Sequence, residues 1–244
     1  MVSSNLMGNM LYDPMELSKR VEPIVCDNSS RKYYRFRATR FYGGIATADT
    51  VGCNLRCRFC WSGSSVWNAR KTGEFYSPEE VADKLHEIAK NNGFTKVRVS
   101  GGEPTIGKNH LINLLENVDE DVLFILETNG LLLGVDRSYV EELSRFRNLH
   151  VRVCLKGCDK EEFSILTGAN KGFEYQLKTL EYLRDEKMSF NIALVSARKD
   201  KRKLFDRLIK MGLGGVMIEE EVIKLYPQVR KRLRREGLLH YFGR

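Results

Sequence analysis

Short apolar runs alternate with amphipathic segments along most of the chain. The runs have the length of buried strands, which predicts strands over residues 45–51, 94–100, 122–126, 149–155, 188–195 and 214–218. Between them, apolar residues recur at helical spacing, for example Val81, Leu85 and Ile88. Strands that alternate with helices are typical of a parallel sheet with right-handed crossovers. Six such units predict an α/β fold, a partial (β/α)6 TIM-type barrel rather than a full eight-fold one.

The patterning divides the chain into three predicted parts. Residues 1–44 form an N-terminal extension that is weakly patterned at its start, and residues 45–218 form the barrel core. Residues 219–244 form a basic C-terminal tail that packs on or caps the core, with engagement of a partner as the alternative. Capping boxes at residues 77–80 and 159–162 predict the starts of two helices within the core.

The composition is that of a soluble globular protein, with 42% hydrophobic and 30% charged residues in a chain of 244. No apolar run approaches the roughly 20 residues needed to cross a bilayer. The start of the chain lacks a secretory pattern, so a cytoplasmic location without membrane contact is expected. The net charge of +8 suits an acidic partner such as RNA or a phosphorylated substrate, and it equally fits an ordinary charged surface.

Residues 31–42, just before the core, interleave basic and aromatic side chains. Tyr34 and Phe36 alternate with Arg35 and Arg37, which is the period of a half-buried strand. This strand has two interpretations. It forms a sheet edge with basic outer residues, or it contacts nucleic acid or substrate, since cations bind phosphates and aromatic rings stack on bases.

Three cysteines at the end of the first predicted strand give the clearest chemical signal. Cys53, Cys57 and Cys60 fall within eight residues, and thiolates at such spacing favour zinc or an iron–sulfur cluster. A structural zinc site or an ordinary cubane takes four protein ligands, and no fourth Cys or His lies nearby in sequence. One metal position is therefore expected to stay open for a substrate or cofactor. The other cysteines are expected to be buried thiols rather than disulfides or ligands of a second cluster: Cys26, Cys154 and Cys158.

The C-x-x-x-C-x-x-C spacing, with an aromatic residue before the last cysteine, resembles the cluster loop of the radical S-adenosylmethionine (radical SAM) superfamily. The resemblance implies one [4Fe-4S] cluster on the three cysteines, with SAM bound to the fourth iron. It places Phe59 near the adenine. The implied SAM-binding residues follow the predicted strands at one end of the barrel. They are Phe59, Gly101, Gly102, Glu103, Pro104, Glu127, Asn129 and Lys156.

The Gly-Gly-Glu-Pro turn is the second feature that carries the resemblance. In the family, its carbonyls and carboxylate, here Glu103, accept hydrogen bonds from the SAM ammonium, and the glycines allow close approach. Residues 127–130 resemble a motif after the third strand of many relatives, and Asn-Gly is equally an ordinary turn signal. Lys156 resembles the lysine that holds the SAM carboxylate in activases of glycyl radical enzymes. Cys154 and Glu127 stand where those activases carry Asp, the latter near a cation site.

The implied activity is reductive cleavage of SAM to a 5′-deoxyadenosyl radical, which abstracts hydrogen from an unidentified substrate. Motif order and small size resemble the pyruvate formate-lyase-activating enzymes most, and those act on a partner protein. RNA and a deazapurine-like small molecule are the alternative substrates. The implied partner is a reductant such as ferredoxin or flavodoxin. A non-catalytic zinc or electron-transfer protein is the remaining alternative, and it leaves residues 101–104 and Lys156 without a role.

Overall fold

The computed structural model describes residues 11–198 and 200–242. Its strands are β1 (Cys26–Asp27), β2 (Ser30–Thr39), β3 (Ile45–Thr50), β4 (Glu74–Tyr76), β5 (Lys96–Gly101), β6 (Leu123–Thr128), β7 (Leu149–Lys156), β8 (Ser189–Val195) and β9 (Ile218–Glu220). Its helices are α1 (Pro14–Val25), α2 (Ser64–Trp67), α3 (Pro78–Asn92), α4 (Lys108–Glu116), α5 (Leu131–Val135), α6 (Arg137–Leu143), α7 (Lys160–Thr167), α8 (Phe173–Asp185), α9 (Arg202–Lys210), α10 (Pro227–Arg235) and α11 (Leu239–Phe242).

All of these strands belong to one sheet, ordered β1-β2-β3-β5-β6-β7-β8-β9, with β4 paired to β2. The run from β3 through β5 to β9 is parallel throughout, whereas β1, β2 and β4 are joined antiparallel. Each helical crossover returns the chain beside the strand it left, as right-handed βα units do. The predicted α/β fold with six parallel core strands is therefore confirmed.

Side chains on alternate positions of the core strands separate into an apolar layer and a polar interior. Val97 and Val99 of β5 are buried in the main hydrophobic cluster, which includes Leu85 and Leu111 of the covering helices. Arg98, between the two valines, donates instead to the hydroxyl of Thr47 on β3. This alternation follows from the two-residue period of a strand, and it directs charged groups toward the inside of the barrel.

The described part of the N-terminal segment is more regular than its weak patterning predicts. Helix α1 begins after Asp13, whose carboxylate accepts from the backbone N–H of Met15. Val21 and Val25 of this helix pack against Val51, at the end of β3. Strand β2 pairs along the whole of β3. The division at residues 44 and 218 stays a prediction, and residues 1–10 lie outside the described part of the chain.

The bases of β2 are occupied within the protein. Arg31 is 1% exposed and donates to the carbonyl oxygens of Val25, Val51, Glu103 and Ile106. Arg35 and Arg37 both bind the buried carboxylate of Asp49, each at 2.8 Å. These contacts within the protein stabilise the sheet.

Two local predictions needed correction. The box at residues 77–80 is complete, but at 159–162 only Asp159 caps its helix, because the Glu162 carboxylate accepts instead from Cys158 and Ala197. The last strand begins at Ile218 rather than at residue 214, because residues 214–215 form a turn. Within the described residues, no helix combines the length and apolarity that crossing a membrane requires.

Candidate active site

A cavity of about 380 Å³ opens at the carboxyl ends of the parallel strands. The residues predicted from the sequence converge on it, with the exception of the buried Pro104. Those that line the cavity are Cys53, Cys57, Phe59, Cys60, Gly101, Gly102, Glu103, Glu127, Asn129 and Lys156. Groups separated by more than 100 residues in the chain thus share one space, although their roles toward SAM stay predictions.

The loop after β3 brings the three thiols to one wall of this cavity. The Sγ atom of Cys53 accepts from the backbone N–H of Leu55 at 3.3 Å and lies 3.8 Å from Nδ2 of Asn129. The N–H of Cys60 donates to the carbonyl of Cys57 at 3.0 Å, which turns the loop back on itself. All three thiols are free of disulfides.

The donor set fits an iron–sulfur cluster. Burial raises the pKa of the Cys57 thiol to about 12 and raises that of Cys53 as well. A thiolate at this wall therefore needs a nearby metal cation, which suits a ligand rather than a free nucleophile. In the part of the chain that the structure describes, no three His, Cys, Asp or Glu side chains gather around a single ion position.

Residues from the N-terminal and C-terminal segments hold the cysteine loop from outside, and no local sequence pattern predicts these contacts. The phenol oxygen of Tyr12 accepts from the N–H of Arg56 at 2.6 Å. Arg58 forms an ion pair with Glu236 at 2.8 Å, and both side chains are largely buried. Arg232 of α10 donates to the carbonyl oxygens of Cys57, Arg58 and Cys60 at 3.5, 3.1 and 2.8 Å. Arg232 and Glu236 of the basic segment thus contact the cysteine loop, and the assignment of residues 219–244 as a separate tail stays a prediction.

The glycines of the Gly-Gly-Glu-Pro turn are required by the protein's own packing. A Cβ atom on Gly102 would lie 1.9 Å from the carbonyl oxygen of Gly52, and one on Gly101 would lie 2.8 Å from the backbone N of Thr50. Two backbone hydrogen bonds join the turns, from Gly102 to Thr50 and from Glu103 to Gly52. Larger residues would keep the two turns apart, and the role of these glycines in ligand approach stays a prediction.

Glu103 is buried, and its two carboxylate oxygens are unequally occupied. Oε1 accepts three hydrogen bonds, from the N–H and hydroxyl of Thr105 and from the hydroxyl of Thr128. Oε2 accepts one, from the backbone N–H of Asn129 at 2.8 Å. The neighbours fix the orientation of the carboxylate and leave capacity at Oε2, because a carboxylate oxygen accepts two or more bonds.

Glu127 already has cationic partners within the protein. It lies 3.1 Å from Arg98 and 3.9 Å from Arg152, and it accepts from the hydroxyl groups of Ser100 and Tyr42. Burial works against the charged form, but Arg98 and Ser100 outweigh it and hold the pKa of Glu127 below its usual value. Two arginines thus neutralise Glu127 within the protein, and its role beside a cation site stays a prediction.

Lys156 lines the same cavity as the glycine turn. Its Nζ is 5.7 Å from the ring centre of Phe59. Burial lowers the pKa of Lys156, but the negative charge around it, including that of Glu221, more than offsets this, so the pKa lies above its usual value and the amine is protonated. The Cys154 thiol faces the same cavity, and burial raises its pKa to about 12. A cation beside an aromatic ring is a suitable place for a carboxylate and an adenine.

Comparison with known proteins agrees with this arrangement. The chain is 34% identical over 138 residues to a probable GTP 3′,8-cyclase of Archaeoglobus fulgidus, which covers 53% of this chain and 42% of that protein. It is 28% identical over 148 residues to a putative glycyl-radical enzyme activating enzyme of Methanocaldococcus jannaschii, covering 59% and 51% respectively. This chain therefore spans about half the length of the curated relatives it matches.

Among solved structures, Streptococcus suis SuiB bound to the precursor peptide SuiA superposes with a TM-score of 0.59 at 22% identity, covering 79% of this chain and 44% of SuiB. This likeness confirms the fold, a partial TIM-type barrel. The model of the radical SAM superfamily matches residues 48–202, which is more than half of the chain. The cofactors of this protein are therefore those of the radical SAM superfamily, a [4Fe-4S] cluster and SAM. The protein belongs to the radical SAM superfamily.

Proposed function

We propose that this protein cleaves SAM reductively and uses the resulting radical to take hydrogen from a substrate. The observation that carries the proposal is the meeting of three thiols, the Gly-Gly-Glu turn and Lys156 in one cavity. When bound, the cluster supplies the electron that breaks SAM into methionine and a 5′-deoxyadenosyl radical. The reaction also needs a reductant, for which we propose a ferredoxin or a flavodoxin.

The residues of the site divide the work of binding. Cys53, Cys57 and Cys60 hold three irons of the cluster and leave the fourth for SAM. Oε2 of Glu103, with backbone carbonyls of the glycine turn, accepts from the SAM ammonium, and charge assistance strengthens these bonds. The protonated amine of Lys156 binds the SAM carboxylate. This pairing matches each charged end of the methionine moiety with its opposite.

The same site protects a reactive intermediate from water. Residues 221–224, Phe41 and Trp61 surround the entrance of the cavity. Behind the cysteine loop, Phe59 packs against Val229 and Leu233 of α10. A dry cavity is needed because a primary radical attacks whatever it meets first. The substrate must therefore close the remaining opening as it binds.

The relatives' names do not decide the substrate, because the chain spans only part of each protein. A GTP 3′,8-cyclase and a glycyl-radical enzyme activating enzyme share the same domain, and they are named for different substrates.

The cytoplasmic location stays a prediction.

Single cysteine variants test the proposal. Cys53→Ala, Cys57→Ala and Cys60→Ala should each lose the iron–sulfur absorption and the formation of 5′-deoxyadenosine from SAM under dithionite. Cys26→Ala is the matched control, because Cys26 lies outside the cavity, beside Gly107, and should keep both. Undiminished 5′-deoxyadenosine from any of the first three variants would refute the assignment. Zinc in place of iron in anaerobically purified protein would favour the non-catalytic alternative.

A further inference from the structure

The net charge of the protein is concentrated in two segments beside the cavity. Residues 61–72 and 222–235, which we call the rim, contain eight Lys and Arg and no Asp or Glu. The rest of the chain carries 32 Lys and Arg against 32 Asp and Glu, so the whole charge of +8 belongs to the rim. The two segments touch, because Arg232 lies over the ring of Trp67 at 4.2 Å. Such a surface attracts a polyanion.

Helix α10 presents half of these eight basic residues to solvent on one face. Val229 and Leu233 are fully buried on the opposite face. The exposed stripe consists of bases at helical spacing: Arg230, Lys231, Arg234 and Arg235. Among the described residues, a carboxylate comes within ion-pair distance of only one of the four, Glu236 at 3.8 Å from Arg235. The stripe is therefore available to an external anion.

Helix α9 is also basic, but its arginines are paired with carboxylates, unlike most of the stripe on α10. Arg202 pairs with Asp200 at 2.6 Å, and Arg207 pairs with Glu174 at 2.5 Å. Their charge is neutralised within the protein. A basic helix on this chain is thus not by itself a free cationic surface. The stripe on α10 differs because, within residues 11–198 and 200–242, only Arg235 has a carboxylate in ion-pair range.

Exposed aromatic rings accompany the bases of the rim. Trp61, Trp67 and Tyr226 are 52%, 43% and 42% exposed. Trp61 lines the cavity and lies 5.6 Å from the ring of Tyr226 and 5.9 Å from Nζ of Lys224. Basic side chains that bind phosphates, beside aromatic side chains that stack on nucleobases, are typical of surfaces that bind single strands. An acidic protein would use the charge, but it has no need of rings that lead into the cavity.

We propose that the rim binds a single-stranded nucleic acid and that Trp61 stacks one of its bases at the entrance of the cavity. The exposed stripe on α10 holds the phosphates of the flanking nucleotides. An unpaired strand is required because the reactive atoms of a base are out of reach within a duplex. The inference rests on the proposed function, since the stacked nucleotide is then the substrate.

Fluorescence anisotropy tests this binding with the reconstituted full-length protein and a short fluorescein-labelled single-stranded RNA, alongside a DNA of the same sequence. Affinity should fall steeply between about 50 and 200 mM salt. Replacing the four bases of the stripe by glutamine should reduce the slope of log K on log salt by about 3, since each phosphate contact on a single strand contributes about 0.7. A control variant that removes four charges elsewhere should keep the slope: Lys178→Gln, Arg202→Gln, Lys203→Gln and Lys210→Gln.

Substitution of Trp61 separates stacking from charge. Trp61→Ala should weaken binding between about 5-fold and 150-fold with an unchanged salt slope, because stacking on an aromatic residue carries no ionic term. Trp61→Phe keeps a ring and should restore most of the affinity. Equal losses in both variants would contradict the stacking role.

Three results would overturn the proposal. These are the absence of binding at about 50 mM salt, binding no tighter than that of GTP, and an equal loss in the control variant. A stripe variant that binds RNA normally but is reduced more slowly by flavodoxin would make the rim a docking site for an acidic electron donor instead. If the wild-type protein forms 5′-deoxyadenosine with dithionite yet binds no strand, this inference alone fails. If it forms none, the proposed function fails.

Discussion

Replacing Arg232 with glutamine removes the contacts that tie α10 to the cysteine loop. Nη1 of Arg232 lies 2.8 Å from the carbonyl oxygen of Cys60, and the guanidinium lies 4.2 Å from the ring centre of Trp67. A hydrogen bond from a charged donor contributes roughly 1.5–3 kcal/mol, and a cation–π contact at an exposed site about 0.5–1 kcal/mol. Arg232 is partly exposed, so the lower ends apply and sum to about 2 kcal/mol. That corresponds to a roughly 30-fold shift in the local opening of the loop.

Hydrogen exchange of the full-length protein measures this opening, both before and after cluster reconstitution. The amides of residues 57–60 should exchange roughly 30-fold faster in Arg232→Gln than in the wild type. Arg234→Gln is the matched control, because it removes the same charge from the exposed face of α10. If both variants exchange like the wild type, or if both accelerate equally, the contacts of Arg232 do not hold the loop.

Three further changes test other parts of the structure. Gly102→Ala places its Cβ 1.9 Å from the carbonyl oxygen of Gly52. Calorimetry should therefore show loss of SAM binding, and urea unfolding should show a stability loss of about 1–3 kcal/mol. The control Gly215→Ala, which has open space around its Cβ, should change neither. Burial lowers the pKa of His110 to about 4 from 6.5, so stability is unaffected by this group above pH 6.5 and is lost as pH falls toward 4. Urea titrations should find about 2–3 kcal/mol lost at pH ~4.5 in the wild type but not in His110→Gln, and equal acid losses would contradict this role. Arg31→Met leaves four carbonyls without their donor and should cost roughly 3 kcal/mol in urea unfolding, and a loss below about 1 kcal/mol would contradict it.

Much of the fold was predictable because strand and helix periods are local signals. Short apolar runs predict the parallel core strands, and the capping box that begins at Ser77 predicts the start of α3. The last strand was misplaced because Val216 and Met217 continue an apolar run, although the preceding Gly-Gly pair turns the chain until Ile218. The periodicity of apolar residues indicates which residues are buried. It does not indicate which of them form backbone hydrogen bonds with a neighbouring strand.

The site was predictable where the spacing of residues along the chain indicates their chemistry, as it does for Cys53 to Cys60. It was not predictable where it depends on contacts between distant parts of the chain. Arg232 lies 172 residues from Cys60, whose carbonyl it binds, and nothing local distinguishes it from the exposed arginines on either side. The same limit applies to Arg31, which read as a basic surface residue and is buried among four carbonyls. A charge pattern gives the number of cations, and only the fold gives their partners.

Electron paramagnetic resonance of the reduced, anaerobically reconstituted protein, recorded before and after addition of SAM, tests the central claim most directly. In the proposed assignment, three cysteine ligands would leave one iron without a protein donor, and Glu103 and Lys156 would hold SAM beside it. We therefore predict a [4Fe-4S] signal that changes shape when SAM is added. A signal that SAM leaves unchanged, or a protein that takes up no iron–sulfur cluster, would contradict the account.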